Sequence, residues 1–260
     1  MAAKYIDYII ADQTPIPEHY QKYYSEKVVY LPHSYQPNIS KIKVSEASLT
    51  RHDAGLPNEG FVFSCFNSDY KITPYTFSSW MKILDAVEGS VLWLLETTSS
   101  TVDNLKKEAK KSGINEDRLI FAKRIPVAEH LNRIQLADLF LDTLPYNAHT
   151  TTSDALRMGL PVMTHIGNSF TSRVAASLLN AVNLPELITT TPEEYKSLAI
   201  QLALHPEKLK TIKNKLIHNL PTAPLYDTPL YARNLESAYL TMYERCQRGL
   251  GPDHIFVEHI

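Results

Sequence analysis

The sequence predicts an α/β fold, a parallel sheet with helices on both faces. Three observations lead there. Short apolar runs recur at Phe61–Phe66, Val91–Leu95, Leu119–Phe121, Leu139–Leu141 and Val162–Thr164, each of the length of a buried strand. Between them lie segments with apolar residues three and four apart, the spacing of amphipathic helices. Breakers such as Gly113, Gly159 and Pro161 punctuate the alternation.

The chain of 260 residues has room for one large domain, or for one domain and part of another, and 44% hydrophobic residues can supply a core. A net charge of -2 with both signs interspersed gives no footprint for nucleic acid. Two cysteines exclude a disulfide framework or a cysteine-built metal site, and Cys65 in FVFSCF reads as a buried thiol. The amino-terminal MAAKYIDYIIAD lacks the apolar segment of a signal peptide, and no stretch approaches membrane-spanning length. A cytoplasmic setting is expected.

Taken in order, Tyr5–Ile10 and Val28–Leu31 are β-rich, with room for about two helical turns over Pro17–Glu26. Residues 1–40 are too few to bury a core alone and are expected to be the end of an amino-terminal domain. Residues 41–60 lie in a polar stretch with Pro57 and Gly60 and read as a linker. Residues 61–226 hold the alternating pattern, with helices over Pro74–Val87, Val102–Ser112, Val127–Leu136, Thr171–Ala181, Glu193–Leu204 and Pro206–Leu220. Residues 227–260 are a carboxy-terminal helix and tail. In that helix, Leu230–Gln247, the stripe Tyr231, Leu235, Ala238, Tyr239, Met242 and Tyr243 is expected to pack in the core.

The stretch that bears chemistry is Ala137–Thr164, read as strand, loop, helix, turn and strand. His149, Thr150, Thr151, Thr152, Ser153 and Asp154 stand where the helix opens. Unpaired first-turn N–H groups and the helix dipole favour an anion there. A Thr or Ser cap alone is the plainer alternative, but a cap needs one such residue rather than four. Asn67–Lys71, Lys123–Pro126 and Tyr146–Thr151 each follow a strand, and ligands of parallel sheets sit at the carboxyl ends of strands. Lys71 there can balance a diphosphate. His130 and Arg133, three apart on one helix face, offer a ring and a planar guanidinium to a nucleobase, or else form a solvated polar face with Glu129. Asp154 can meet a ribose hydroxyl, or stabilise the helix start. No G-x-G-x-x-G, P-loop, G-x-S-x-G or H-E-x-x-H occurs, nor any Asp-x-Asp for a metal-bound diphosphate. Charge on a leaving diphosphate is therefore expected to meet backbone N–H groups, hydroxyls and Lys71, without a metal or other cofactor.

The ordered motifs FNSDYKITP (Phe66–Pro74), SVLWLLE (Ser90–Glu96), RLIFAKRIPVAEHLNR (Arg118–Arg133), LADLFLDTLPYNAHTTTSDAL (Leu136–Leu156) and SRVAASLL (Ser172–Leu179) resemble the protein O-GlcNAc transferase family, and more closely its bacterial SPINDLY-type members. YIDYIIADQ and VVYLPHSYQPN extend the resemblance to the start of the chain. It implies a GT-B glycosyltransferase, two Rossmann-like domains facing a cleft, with this chain holding the nucleotide-sugar-binding domain. It also implies an inverting, metal-independent transfer of GlcNAc from UDP-GlcNAc to Ser or Thr hydroxyls of acceptor proteins. By the resemblance His149, Thr150 and Thr151 contact the donor phosphates and sugar, and Asp154 the ribose. His130 and Arg133 surround the uracil, Ser68 is among the donor contacts and Lys71 meets the diphosphate. Lys71 and His33, which matches a histidine near the family's active site, are the catalytic candidates. Ser68 stands where animal members have a glutamine, and Val127 where they have a lysine. An amino-terminal catalytic half and tetratricopeptide repeats are expected in the full-length protein, and the last helix is expected to cross back toward that half. Two alternatives stay open: a UDP-sugar-binding fragment inactive without that half, and an O-fucosyltransferase using GDP-fucose.

Overall fold

The apolar runs pair side by side in the computed structural model, which describes residues 3–258. Six strands, β3 (Val62–Cys65), β4 (Val91–Leu95), β5 (Leu119–Ala122), β6 (Leu139–Leu141), β7 (Val162–His165) and β8 (Ile188–Thr189), form one sheet in the order β5-β4-β3-β6-β7-β8. Every pairing is parallel. The strands are buried on both faces, as their unbroken apolar character requires. The chain runs outward from β3 to β5, returns to the centre at β6 and continues outward the other way. The order reverses between β3 and β6, and in parallel sheets such a reversal is where ligands sit, at the carboxyl ends of the strands.

Among the described residues eight α-helices accompany the strands: α1 (Pro74–Ala86), α2 (Ser99–Lys111), α3 (Val127–Ile134), α4 (Thr150–Arg157), α5 (Val174–Ala181), α6 (Pro192–Leu204), α7 (Pro206–Asn219) and α8 (Thr228–Gln247). α1 packs on α6 and α6 on α7, while α4 packs on α3 and α5, so two helical layers enclose the sheet. Local chemistry sets their ends. Thr73, Thr98, Thr191 and Asp227 cap α1, α2, α6 and α8, which starts α2 three residues earlier than its apolar spacing suggested. Gly159 stops α4 at a φ of 75°, a conformation that glycine adopts without strain.

β1 (Tyr8–Ala11), β2 (Lys27–Tyr30) and β9 (Ile255–Phe256) form a second parallel sheet in that order. Its third strand comes from the tail, which carried no strand signal. Between β1 and β2 the chain makes a 3-10 turn, Glu18–Tyr23, rather than an α-helix. α8 crosses back onto this sheet, with Ala238, Tyr231 and Met242 packed against Val29, Leu31, Ile255 and Val257. The expected α8 stripe is corrected at two positions: Tyr239 is 53% and Tyr243 is 61% exposed. A three-stranded sheet is too narrow to cover the whole stripe. Residues 41–60 form no strand and no helix and are tied down by Arg51, whose guanidinium meets Asp138 at 2.8 Å. No helix of the described residues is long and apolar enough to cross a membrane.

Candidate nucleotide-sugar site

The β3 and β6 loops meet across the reversal of strand order. Lys71 closes a 3-10 turn, Asp69–Lys71, that Asp69 anchors by accepting from Thr97 (2.6 Å) and Thr101 (2.8 Å) at the start of α2. Those two bonds lower the Asp69 pKa. Lys71 Nζ then donates to the Asn147 carbonyl at 2.9 Å and lies 3.9 Å from the Tyr146 ring centroid. Burial lowers the Lys71 pKa, and Asp142 acts against that. The ammonium is thus half out of water and held by a carbonyl and a ring, without a direct carboxylate partner.

α4 opens at His149, and no side chain caps it. Its first-turn N–H groups lack the side-chain acceptor that caps four of the other helices. Thr151 Oγ1 donates to Asn67 Oδ1 at 2.9 Å, tying the helix start to the end of β3. Thr150 is exposed. His149 is half-buried, 5.1 Å from the Tyr146 ring, and burial together with Lys71 lowers its pKa, so the imidazole is neutral. Asn147 is fully buried, and its Oδ1 has no hydrogen-bond partner among the described residues. Asp154, half-buried one turn into α4, has its pKa raised by burial against the pull of Arg157. The arrangement can take an anion: an ammonium held by the β6 loop stands beside an uncapped helix start.

Next to it an open cavity of about 330 Å³ is lined by Phe66, Ser68, Arg124, Val127, His130 and Arg133, with Leu95 and Ile125. This size and its mixed lining suit a planar ring. Arg133 is placed differently from the solvent-facing guanidinium of the helix-face reading. It is 5% exposed, donates to the Lys123 carbonyl (2.7 Å), and lies over Phe66 and Trp93. Its Nε–H also donates to His130 Nδ1 at 3.0 Å. Burial and this cation push the His130 pKa down to about 4. A neutral ring whose Nδ1 accepts must carry its proton on Nε2.

Lys71, His149, Thr150 and Thr151 therefore gather at one point, and Ser68, His130 and Arg133 line the adjoining cavity. His33 does not line that cavity. It lines a cavity of about 510 Å³ with Asp12, Thr14, Asn180, Pro224 and Phe256, which none of the other candidate residues borders. Sequence reasoning placed Asn67, Tyr146 and Asn147 in loops at the strand ends but gave none of them a role. Their only signal was position, polar or aromatic residues just after strands that prove central. Among the described residues, no group of three or more His, Cys, Asp or Glu is placed to hold a metal ion.

The model of glycosyl transferase family 41 matches residues 38–235, which span the six-stranded sheet, the start of α4 and the cavity beside His130. The chain belongs to that family. Across 261 aligned residues it is 37% identical to a probable UDP-N-acetylglucosamine–peptide N-acetylglucosaminyltransferase, SEC, of Arabidopsis thaliana, covering 98% of this chain and 27% of the relative. It is 32% identical to a second probable UDP-N-acetylglucosamine–peptide N-acetylglucosaminyltransferase, SPINDLY, of Petunia hybrida, over 92% of this chain and 26% of that one. Among solved structures, a variant of the Thermobaculum terrenum O-GlcNAc transferase superposes with a TM-score of 0.81 at 30% identity, over 94% of this chain and 46% of that one. The family 41 chain thus spans about a quarter of the length of these plant relatives. Its fold is that of the GT-B glycosyltransferases.

Proposed function

We propose that this family 41 chain is the donor-binding part of a glycosyltransferase that moves GlcNAc from UDP-GlcNAc to Ser or Thr hydroxyls of proteins. The observation that carries the reading is the uncapped start of α4 with Lys71 tethered beside it at the reversal of strand order. In this reading the diphosphate lies against the Thr150 and Thr151 N–H groups and the Lys71 ammonium, and Asp154 accepts from the ribose. The base enters the cavity beside His130, whose Nε2–H is an oriented donor for a carbonyl oxygen.

An acceptor hydroxyl attacks the anomeric carbon from the side opposite the diphosphate, inverting its configuration. The C–O bond to the diphosphate breaks, and negative charge grows on the leaving oxygens. The ammonium and the helix start face that charge and are already ordered, so they stabilise the transition state more than the ground state. His33, which the resemblance places near the active site, lines the separate cavity of about 510 Å³. The relatives' names favour UDP-N-acetylglucosamine over GDP-fucose as the donor. Since the chain spans about a quarter of those relatives, the reading assigns nucleotide binding to this chain and transfer to a longer protein.

Calorimetric titration with UDP and with GDP tests the first part. Binding of UDP in preference to GDP supports it, and absence of UDP binding refutes it. Transfer of labelled GlcNAc to an acceptor protein by a longer chain carrying the amino-terminal half tests the second.

A further inference from the structure

Asp142 follows β6 directly and lies beside Asn67, two residues past β3. It is 3% exposed, and the mechanism above does not use it. Its carboxylate accepts from donors on three segments. The Thr143 and Ala148 N–H groups lie 2.7 and 2.6 Å away, Thr164 Oγ1 of β7 lies 2.7 Å away, and Asn67 Nδ2 lies at 3.4 Å. The two backbone bonds close residues 143–148 into a ring, and the next residue, His149, opens α4. Asn67 joins the other side: its Nδ2 donates to Thr143 Oγ1 at 2.8 Å, and its Oδ1 accepts from Thr151 at 2.9 Å. Asn147, whose carbonyl holds Lys71, lies inside the ring.

We propose that Asp142 is a positioning residue for the donor diphosphate, holding the 143–148 loop so that the first turn of α4 and the Lys71 ammonium converge on one phosphate group. The role deepens the nucleotide reading and rests on it. The two N–H groups share Oδ1 and the Thr164 hydroxyl takes Oδ2, so the unprotonated carboxylate accepts from all three donors at once. An amide in its place turns an N–H₂ toward a donor and leaves a buried donor unpaired. The loop then relaxes, and both anion-binding groups move with it.

The charge state of the clamp gives a signature that a purely structural role lacks. Burial raises the Asp142 pKa to about 7, against the bonds from Ala148, Thr164 and Thr143 and the charge of Lys71. Other titratable groups near it are Lys71 from the β3 loop, Cys65 of β3, Tyr195 of α6, whose hydroxyl donates to the Asp142 carbonyl, and His165 of β7. Burial holds Cys65 and Tyr195 in their protonated forms and lowers the pKa of His165. Removing a donor to the carboxylate should therefore raise the pH at which the clamp loses its charge.

The test is calorimetric titration of this chain with UDP from about pH 6 to about pH 8.5, for wild type, Asp142→Asn and Thr164→Val. Thr164→Val keeps a similar shape and removes one donor. Asp142→Asn is expected to weaken UDP binding at least about tenfold at the upper pH. Thr164→Val is expected to move the midpoint of the affinity profile to higher pH than in wild type; ionisation of UDP itself is common to both proteins and cancels. If Asp142→Asn does not fold, the Thr164→Val midpoint decides. Coincident profiles for wild type and Thr164→Val, or a folded Asp142→Asn protein with wild-type affinity, overturn the positioning role and leave the nucleotide reading standing. A wild-type chain that binds no UDP at any pH overturns both.

Discussion

Replacing Lys71 by alanine removes the one ammonium that the β3 loop brings against the β6 loop. Two unit charges about 4 Å apart at an effective dielectric near 20 attract by about 4 kcal/mol. Lys71 is only half-buried, and exposed ion pairs contribute ~1 kcal/mol or less. An intermediate value of ~2 kcal/mol corresponds to a loss of roughly 30-fold in affinity. That loss belongs to the phosphates, because the cavity lined by His130 and Arg133 does not include Lys71. Calorimetry with paired ligands isolates it: UDP should bind about 30-fold more weakly to Lys71→Ala, while uridine, without phosphates, keeps its wild-type Kd within about twofold. Equal weakening of both ligands would show that Lys71 only supports the loop. Unchanged UDP binding would remove Lys71 from the anion site altogether.

Three further outcomes are expected. Folded His130 titrates near 4 against an ordinary 6.5, so between these values the unfolded chain binds a proton that the native chain refuses. Stability should fall as pH drops through that interval, and His130→Gln should flatten the slope in thermal melts; identical slopes would refute the assignment. Leu139 is fully buried in central β6, and Leu139→Ala should cost ~2–5 kcal/mol in denaturant unfolding, whereas a loss well under that range would mean the sheet centre is not tightly packed. Ile255→Ser should loosen β9 and speed proteolysis within residues 3–40 while UDP affinity holds, because β9 pairs only with β2; a parallel loss of UDP binding would show that the two sheets do not act separately.

Much of this architecture was legible because parallel strands buried on both faces have to be short unbroken apolar runs. β3, β4, β6 and β7 are such runs, and their strands fall where those runs fall. β9 was not legible. Two residues near the end of a polar tail carry no period, and pairing with β2 alone makes them a strand. At the site, Lys71, His149, Thr150 and Thr151 were nameable from residue type and position beside a helix start. Arg133 was nameable too, but its orientation was not. A guanidinium three residues from a histidine can face water or fold beneath it, and Phe66, Trp93 and the Lys123 carbonyl decide for the second.

The sequence by itself determined the alternation of strands and helices, the place where α4 begins and the kinds of group that stand there. Hydrophobic period and turn chemistry are local, and a window of a dozen residues contains them. Only the tertiary structure decided that β3 and β6 are neighbours across a reversal of strand order. That adjacency sets Asn67 against Thr151, Lys71 against Asn147, and Asp142 within reach of β7. Contacts between residues some 75 to 85 positions apart depend on which edge of the sheet each strand joins, and no local pattern encodes that choice.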